Sequence, residues 1–253
     1  MDRNDITEIS VLNFPTLPST NTYVKQHLDE LSDFAVVTAD IQTDGRGRLG
    51  NKWLTDIGAL SMSVLLKSAD NPQNITIISA VAVCLVLKEQ LDIPAFIKWT
   101  NDIICEKSKI CGILCESTIK CSSDGKTSQP YIICGIGLNV NQSKEFFVSG
   151  GLTNGASLCS LYGKKYDKKA IAIAIATKLS ELIKADFKEI LCIYKKLCIT
   201  TGKMIKFIRN GEEVTAFAKD IDENGCLICE NEEGKFIVNS GVVRVRGLNG
   251  EYV

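Results

Sequence analysis

Histidine is almost absent from this chain: there is one, His27, in 253 residues. It falls on or beside the apolar face of a short helical pattern with Tyr23, Val24, Leu28 and Leu31, so it receives no catalytic role. With one histidine and no paired Cys-x-x-Cys motifs, a zinc-type ligand set is not expected from the protein alone. Charge of one sign is lacking too. The formal net charge is -1, so no single-sign field draws the chain to nucleic acid or to an anionic membrane. Met1 to Ser10 is polar and charged, without the basic-plus-apolar layout of a secretion signal. The longest apolar run, Ile75 to Leu87, falls short of the ~20 residues that cross a bilayer.

Cysteine, by contrast, is plentiful: there are eleven. They lie scattered inside apolar runs such as Val83-Cys84-Leu85 and Ile133-Cys134-Gly135. That distribution fits buried free thiols in a reducing cytosol, and hence a cytoplasmic protein. Cys226-Leu-Ile-Cys229 stands alone, and in an extended strand residues three apart point to opposite faces.

The pattern divides the chain unequally. Helices are expected from Asn21 to Leu31, from Gln73 to Gln90 and from Asp167 to about Cys198. Strands are expected at Phe34–Ile41, Ala59–Lys67, Ala95–Thr100, Ile103–Cys105, Ile110–Ile119 and Tyr131–Val140. Cys121 to Pro130 and Ser143 to Gly155 read as loops. After Gly202 the character changes to five short strands, the last at Val242–Arg246. Asn210-Gly211 and Asn224-Gly225 are strong hairpin turns between them. The expected fold class is α+β: a mixed sheet with helices over residues 1–198, and a small SH3-like β-barrel over residues 199–253.

One loop concentrates unusual chemistry. Gln42-Thr-Asp-Gly45-Arg46-Gly47-Arg48-Leu49-Gly50 holds two arginines among three glycines, directly after a strand. Glycine lets backbone approach a ligand, and arginine offers planar charged donors to carboxylate or phosphate. The string also satisfies G-x-G-x-x-G, but a dinucleotide fingerprint opens a helix within a unit of ~30 residues. Here the next strand begins at Ala59, which leaves no room for a crossover helix. Four further segments carry related chemistry. Ser19-Thr20-Asn21 stands at a helix N-terminus, where polar ligands are favoured. Lys98-Trp99-Thr100-Asn101-Asp102 ends a strand with an amide and a carboxylate. Lys109-Ile-Cys-Gly112-Ile-Leu114 places a lysine before an apolar strand. Gly135-Ile-Gly137-Leu-Asn139 puts small residues and an amide inside one. Read singly, these are a basic hairpin, a helix cap, an ordinary turn, solvated lysines and glycines that relieve packing. Their joint occurrence in this order is what such readings leave unexplained.

The order resembles that of biotin protein ligases, also called biotin–[acetyl-CoA-carboxylase] ligases, in the form without an N-terminal DNA-binding module. The matching segments run from residue 17 to residue 141, and the tail from Thr201 resembles the family's small C-terminal barrel. The family usually has proline where Thr100 stands, a departure that removes no reacting group. The resemblance implies ATP-dependent activation of biotin to biotinyl-5'-AMP. Transfer to a lysine of a biotin carboxyl carrier protein domain, of acetyl-CoA carboxylase or a related carboxylase, then follows. ATP and Mg2+ would be needed, and two chains could pair through an exposed sheet edge. By the same resemblance Ser19, Thr20, Asn21 and Gln42 would hold the biotin head group. Gly45, Arg46, Gly47 and Arg48 would close over biotin and nucleotide, with Gly112, Gly135 and Gly137 as walls. Lys109 would bind the biotin carboxylate and the α-phosphate. Trp53, Asn101 and Asn139 would face the nucleotide with Arg46 and Arg48. Lys109, Arg48 and Asp102 would be catalytic, Asp102 where the acceptor lysine enters.

Three rivals remain. Lipoate and octanoate ligases or transferases share the fold class, yet usually carry a histidine in the glycine-rich region, and His27 lies elsewhere. A biotin-responsive DNA-binding repressor would need a helix-turn-helix module ahead of Ser19, where this sequence is short. A non-catalytic biotin or nucleotide binder is not favoured, because Arg46, Arg48, Lys109 and Asp102 are all present. Neither DNA nor membrane is expected as a partner.

Overall fold

The computed structural model describes residues 9–67, 71–121, 128–209, 211–239, 245–248 and 252. Its first part runs β1 (Val11–Leu17), α1 (Thr20–Gln26), β2 (Val36–Gln42), β3 (Ala59–Leu66), α2 (Pro72–Leu91), β4 (Phe96–Lys98), β5 (Asp102–Cys105), β6 (Ser108–Cys121) and β7 (Ser128–Asn139). Four helices follow: α3 (Lys144–Ser149), α4 (Leu158–Tyr162), α5 (Lys168–Leu182) and α6 (Phe187–Leu197). The second part is β8 (Lys203–Arg209), β9 (Glu212–Ile221), β10 (Leu227–Asn231), β11 (Gly234–Val238) and β12 (Arg246–Gly247).

The seven strands of the first part form one mixed sheet in the order β1-β2-β3-β7-β6-β5-β4. β1 pairs with β2 in parallel and the other neighbours are antiparallel. β1 is absent from the sequence expectation because Pro15 interrupts it. Proline cannot donate to a ladder and is tolerated on an edge strand, which β1 is.

α2 is the one described helix long and apolar enough to cross a membrane by length and composition, yet 67% of that stretch is buried inside the protein. It packs against α5, α6 and the sheet, so its apolar surface is covered on nearly all sides. Asn71 caps its start by accepting from the Gln73 amide at 2.9 Å, Pro72 occupies the first turn, and Asp92 ends it in the left-handed region.

Three boundaries differ from the sequence expectation. α1 stops at Gln26, where the His27 amide closes the helix onto Tyr23 and Val24. The expected long helix from Asp167 is two helices, because Asp186 caps a new start by accepting from the Lys188 amide. Within the expected loop 143–155, Ser143 caps α3. The expected Cys121–Pro130 loop falls mostly outside the described residues, and β7 already begins at Ser128.

The second part is an antiparallel sheet in the order β11-β10-β9-β8-β12. Among the described residues it is not a closed barrel, which corrects that expectation. β12 spans two residues and pairs only with β8, while β11 pairs only with β10. Most of the expected strand Val242–Arg246 lies outside the described residues. The two sheets meet through β4 and the turn after it. Trp99 donates its indole N–H to the Gly225 carbonyl at 3.0 Å, and its amide donates to Thr200 Oγ1 at 2.9 Å.

Candidate active site

The segments singled out in the sequence converge on one cavity of about 400 Å³. Its floor is the β3–β7–β6 surface, the start of α1 closes one end, and the glycine–arginine loop lies across it.

At the α1 end the polar side chains are already bound to one another. Ser19 caps the helix, and the Thr20 amide donates to Gln42 Oε1 at 2.8 Å. Ser63 Oγ lies 2.7 Å from Thr20 Oγ1 and 2.6 Å from Asn21 Oδ1. Asn21 Nδ2 donates to the Glu116 carboxylate at 2.7 Å and to the Leu114 carbonyl at 3.2 Å. Gly135 is required here, because a Cβ on it would sit 2.4 Å from Asn21 Oδ1.

The loop folds back on itself. Arg46 bridges to Lys52, and the Gly47 amide donates to the Asn51 carbonyl at 2.8 Å. Leu49 and Gly50 adopt positive φ and turn the chain. Arg46 reaches Thr22 Oγ1, and Arg48 donates to Asn101 Oδ1 at 2.7 Å. Gly45, expected to close over biotin and nucleotide with the rest of the loop, does not line the cavity. A Cβ there would meet the Trp53 carbonyl at 2.3 Å, and the Trp53 amide donates to the Gly45 carbonyl at 2.8 Å. Its smallness lets the two ends of the loop close. The Trp53 ring then lies on the sheet: a Cβ on Gly137 would come within 2.5 Å of the indole, and one on Gly112 within 3.1 Å. These two glycines line the cavity and also make a seat for Trp53.

The charged centre is built by the β4–β5–β6 turn. Lys98 and Asp102 are cross-strand partners of the β4–β5 hairpin. The register of β5 against β6 slips between Ile103 and Ile104, a bulge beside Lys109 of the kind that re-aims a side chain. Lys109 Nζ lies 2.6 Å from Asp102 Oδ1 and 5.4 Å from the Trp53 ring centre. The Tyr252 hydroxyl donates to Asp102 Oδ2. Lys98, 5% exposed, donates to the Val245 carbonyl at 2.8 Å. The Tyr252 ring lies 4.6 Å from Lys98 Nζ and 4.5 Å from the Arg246 guanidinium. Burial pushes the Asp102 carboxyl up, but Lys109 and Lys98 outweigh it and hold the group below the usual carboxylate range. Burial lowers Lys98 to about 8, helped by Arg246, Lys109 and Arg48 and opposed by Asp102.

Asn101 and Asn139 line the same cavity, each tied to backbone: Asn101 Nδ2 to the Ile113 carbonyl at 2.9 Å, Asn139 Nδ2 to the Lys109 carbonyl at 3.5 Å. Among the described lining residues Asp102 is the only carboxylate, against Arg46, Arg48, Lys52, Lys98, Lys109 and Arg246. Such a cavity favours an anionic ligand. Among the described residues no group of three or more His, Cys, Asp or Glu side chains is placed to hold a metal ion.

A model of the biotin/lipoate A/B protein ligase family matches residues 13–139, the stretch that carries α1, the loop, the charged centre and β7. The chain belongs to this family. A second model, the biotin protein ligase C terminal domain, matches residues 200–246, which sets the chain among the biotin protein ligases. The chain is 27% identical over 227 residues to a biotin–[acetyl-CoA-carboxylase] ligase of Mycobacterium tuberculosis, covering 85% of this chain and 80% of the relative. It is 26% identical to the bifunctional ligase/repressor BirA of Escherichia coli, covering 88% of this chain and 70% of that protein. Biotin protein ligase from Aquifex aeolicus, solved in complex with biotin and ATP, superposes with a TM-score of 0.79 at 28% identity, over 94% of this chain and 99% of the other.

In this biotin protein ligase several lining residues had no local signal. Arg246 of β12 and Tyr252, which follows it, also line the cavity. Asn154 and Gly155 border Lys109: its amide donates to the Asn154 carbonyl at 2.7 Å, and the segment forms a bridge at Gly155. Lys98 belonged to a string already singled out, and Glu116 lies two residues beyond another.

Proposed function

We propose that this ligase joins biotin and ATP into biotinyl-5'-AMP in the cavity and then passes the biotinyl group to a lysine of a carboxylase carrier domain. The observation that supports it best is that Arg46, Arg48, Lys98 and Lys109 line one cavity with Ser19, Thr20 and Gln42, against one carboxylate, Asp102, among the described lining residues. In the first step a biotin carboxylate oxygen attacks the α-phosphorus and pyrophosphate leaves. Two anions must meet, and positioned cations lower the cost of bringing them together and of the charge that spreads over the phosphoryl oxygens. Lys109, free to leave Asp102 for a stronger anion, serves the carboxylate and α-phosphate. Arg48, held by Asn101, serves the nucleotide side. Magnesium would arrive on the ATP phosphates and offset their charge. In the second step a lysine amine attacks the anhydride carbonyl, AMP leaves, and a carboxylate takes the amine proton. Asp102, the one carboxylate among the described lining residues, would take it. Residues 1–198 would form the catalytic unit and residues 199–253 a unit that completes its wall.

The test is pyrophosphate release with ATP and Mg2+ and, in turn, biotin, lipoate and octanoate. Release with biotin alone is expected. Release with lipoate or octanoate but not with biotin would refute the assignment.

A further inference from the structure

The two oxygens of Asp102 are held in different ways. Oδ2 accepts from the Tyr252 hydroxyl, and Oδ1 faces Lys109 Nζ at 2.6 Å. From this asymmetry we infer that Tyr252 is a positioning residue for the transfer step: its hydroxyl holds Oδ2, so that Oδ1 keeps its place as proton acceptor once Lys109 has turned to the adenylate. This rests on the ligase reading above and deepens it. Tyr252 belongs to none of the five motifs.

The two contacts differ in what can break them. Lys109 meets Oδ1 as an ion pair off the hydrogen-bond direction, so Oδ1 is buried without an aligned hydrogen bond. A Cβ on Gly112, the register partner of Asp102 on β6, would lie 3.3 Å from Lys109 Nζ. The ammonium therefore rests on the cavity floor, where a bound carboxylate or phosphate competes with Asp102 for it. The phenol is held from two sides. Lys98 Nζ lies 4.6 Å and the Arg246 guanidinium 4.5 Å from the ring centre, and cations over an aromatic face attract it. Burial and the Asp102 charge push the Tyr252 hydroxyl up, so it stays a protonated donor.

A carboxylate turns about one bond. With Oδ2 free, the departure of Lys109 would let the group swing toward Lys98, its cross-strand partner on β4. With Oδ2 held, Oδ1 stays where Lys109 left it. In transfer the acceptor lysine nitrogen bonds to the biotinyl carbonyl carbon. The bond from that carbon to the adenylate oxygen breaks, AMP leaves with the electron pair, and the nitrogen's proton goes to Oδ1. A base must stand within hydrogen-bond reach of that proton. The hydroxyl also draws charge from the carboxylate and so weakens it as a base. Basicity and position thus predict opposite results for its removal.

The experiment first measures pyrophosphate release with ATP and Mg2+ and, in turn, biotin, lipoate and octanoate. It then measures single-turnover transfer from preformed biotinyl-5'-AMP to a biotin carboxyl carrier protein domain. The enzymes are the unaltered one, Tyr252→Phe, Asp102→Asn and the double variant. Phenylalanine keeps the ring between the two cations and removes only the hydroxyl. Tyr252→Phe should slow transfer about tenfold more than it slows adenylate formation, part of the full effect of a general base. In the Asp102→Asn background the same substitution should cost less than about twofold, because the hydroxyl acts through the carboxylate. Single-turnover rate constants do not depend on the active fraction, so partial misfolding cannot imitate this result. Transfer by Tyr252→Phe at the unaltered rate or faster would overturn the inference. So would equal slowing of both half-reactions, or a tenfold loss that persists in Asp102→Asn. An unaltered enzyme that releases pyrophosphate with lipoate or octanoate but not with biotin would instead overturn the ligase assignment, and this inference with it.

Discussion

At the scale of single residues, the centre of the site is a carboxylate with both oxygens taken. Lys109 holds one and the Tyr252 hydroxyl the other. Lys109→Ala should lower adenylate formation by about 100-fold or more, the usual loss when one donor to a developing charge is removed. Asp102→Asn keeps the shape but cannot take a proton. It should slow transfer from preformed adenylate more than it slows adenylate formation. Single-turnover assays of each step measure the two rates, and normal transfer by Asp102→Asn would refute the proton-acceptor role. Lys98 adds a pH dependence. With its ammonium lowered to about 8, it is charged below that pH and neutral above it. Its help to an anionic ligand is therefore present on the acid side and lost on the alkaline side. kcat/KM for ATP should fall as pH rises through about 8, and Lys98→Gln should remove that inflection. An inflection that persists in Lys98→Gln would assign it to another group.

At the scale of elements, β3, β6 and β7 form a floor on which the loop is laid, and glycine decides where the loop rests. Gly137→Ala would put a methyl where the Trp53 indole lies, 2.5 Å from its atoms. Overpacking of this kind costs about 1–3 kcal/mol. The ring is held to the sheet by shape, not by a partner for its N–H, since Nε1 is buried without one. It is the part that should yield. Trp53 emission should shift on substitution and adenylate formation should fall, while the melting temperature drops by only a few degrees. An unchanged emission spectrum would mean that the sheet, and not the ring, had moved. The loop itself makes few apolar contacts: Leu49 and Leu54 are 50% and 41% exposed. Such a segment should exchange its amide hydrogens faster than the sheet beneath it. Biotinyl-5'-AMP should slow exchange across residues 43–52, measured by mass spectrometry. Equal exchange with and without it would remove any closing role.

At the scale of the whole molecule, the second sheet is a wall of the site and not an appendage. Lys98 reaches Val245, Trp99 reaches Gly225, and Gln73 of α2 donates to the Asn224 carbonyl at 2.8 Å. Trp99→Phe would leave the Gly225 carbonyl buried and unpaired, at a cost of about 1–3 kcal/mol. The outcome expected is a lower melting temperature together with a raised KM for ATP, because Arg246 and Tyr252 shift with the sheet. A lower melting temperature with unchanged KM would separate the wall from the chemistry.

Much of this protein was legible along the chain. The apolar run of α2, the strand runs of β3 and β7, the Ser19 cap and the Asn-Gly turns are local, and local sterics and hydrogen bonding determine them. The five motifs that mark the family are also local strings, so the cavity's main residues could be named before any fold was known. Three kinds of fact were not legible. The edge strand β1 owes its existence to pairing with β2, which tolerates Pro15 because among the described residues no strand lies beyond β1. The break between α5 and α6 depends on Asp186 capping a helix that packing on α2 directs. The partners of Asp102 lie far apart in sequence: Lys109 is close, but Tyr252 is 150 positions away, and no spacing rule connects them. The same holds for the contacts of Ser63 with Thr20 and Asn21 and of Asn21 with Glu116, which join three elements. Sequence alone determined which side chains carry the chemistry, because composition and local pattern select them. Only the tertiary structure decided which of them share protons and charge, because those energies depend on distance and on the exclusion of water.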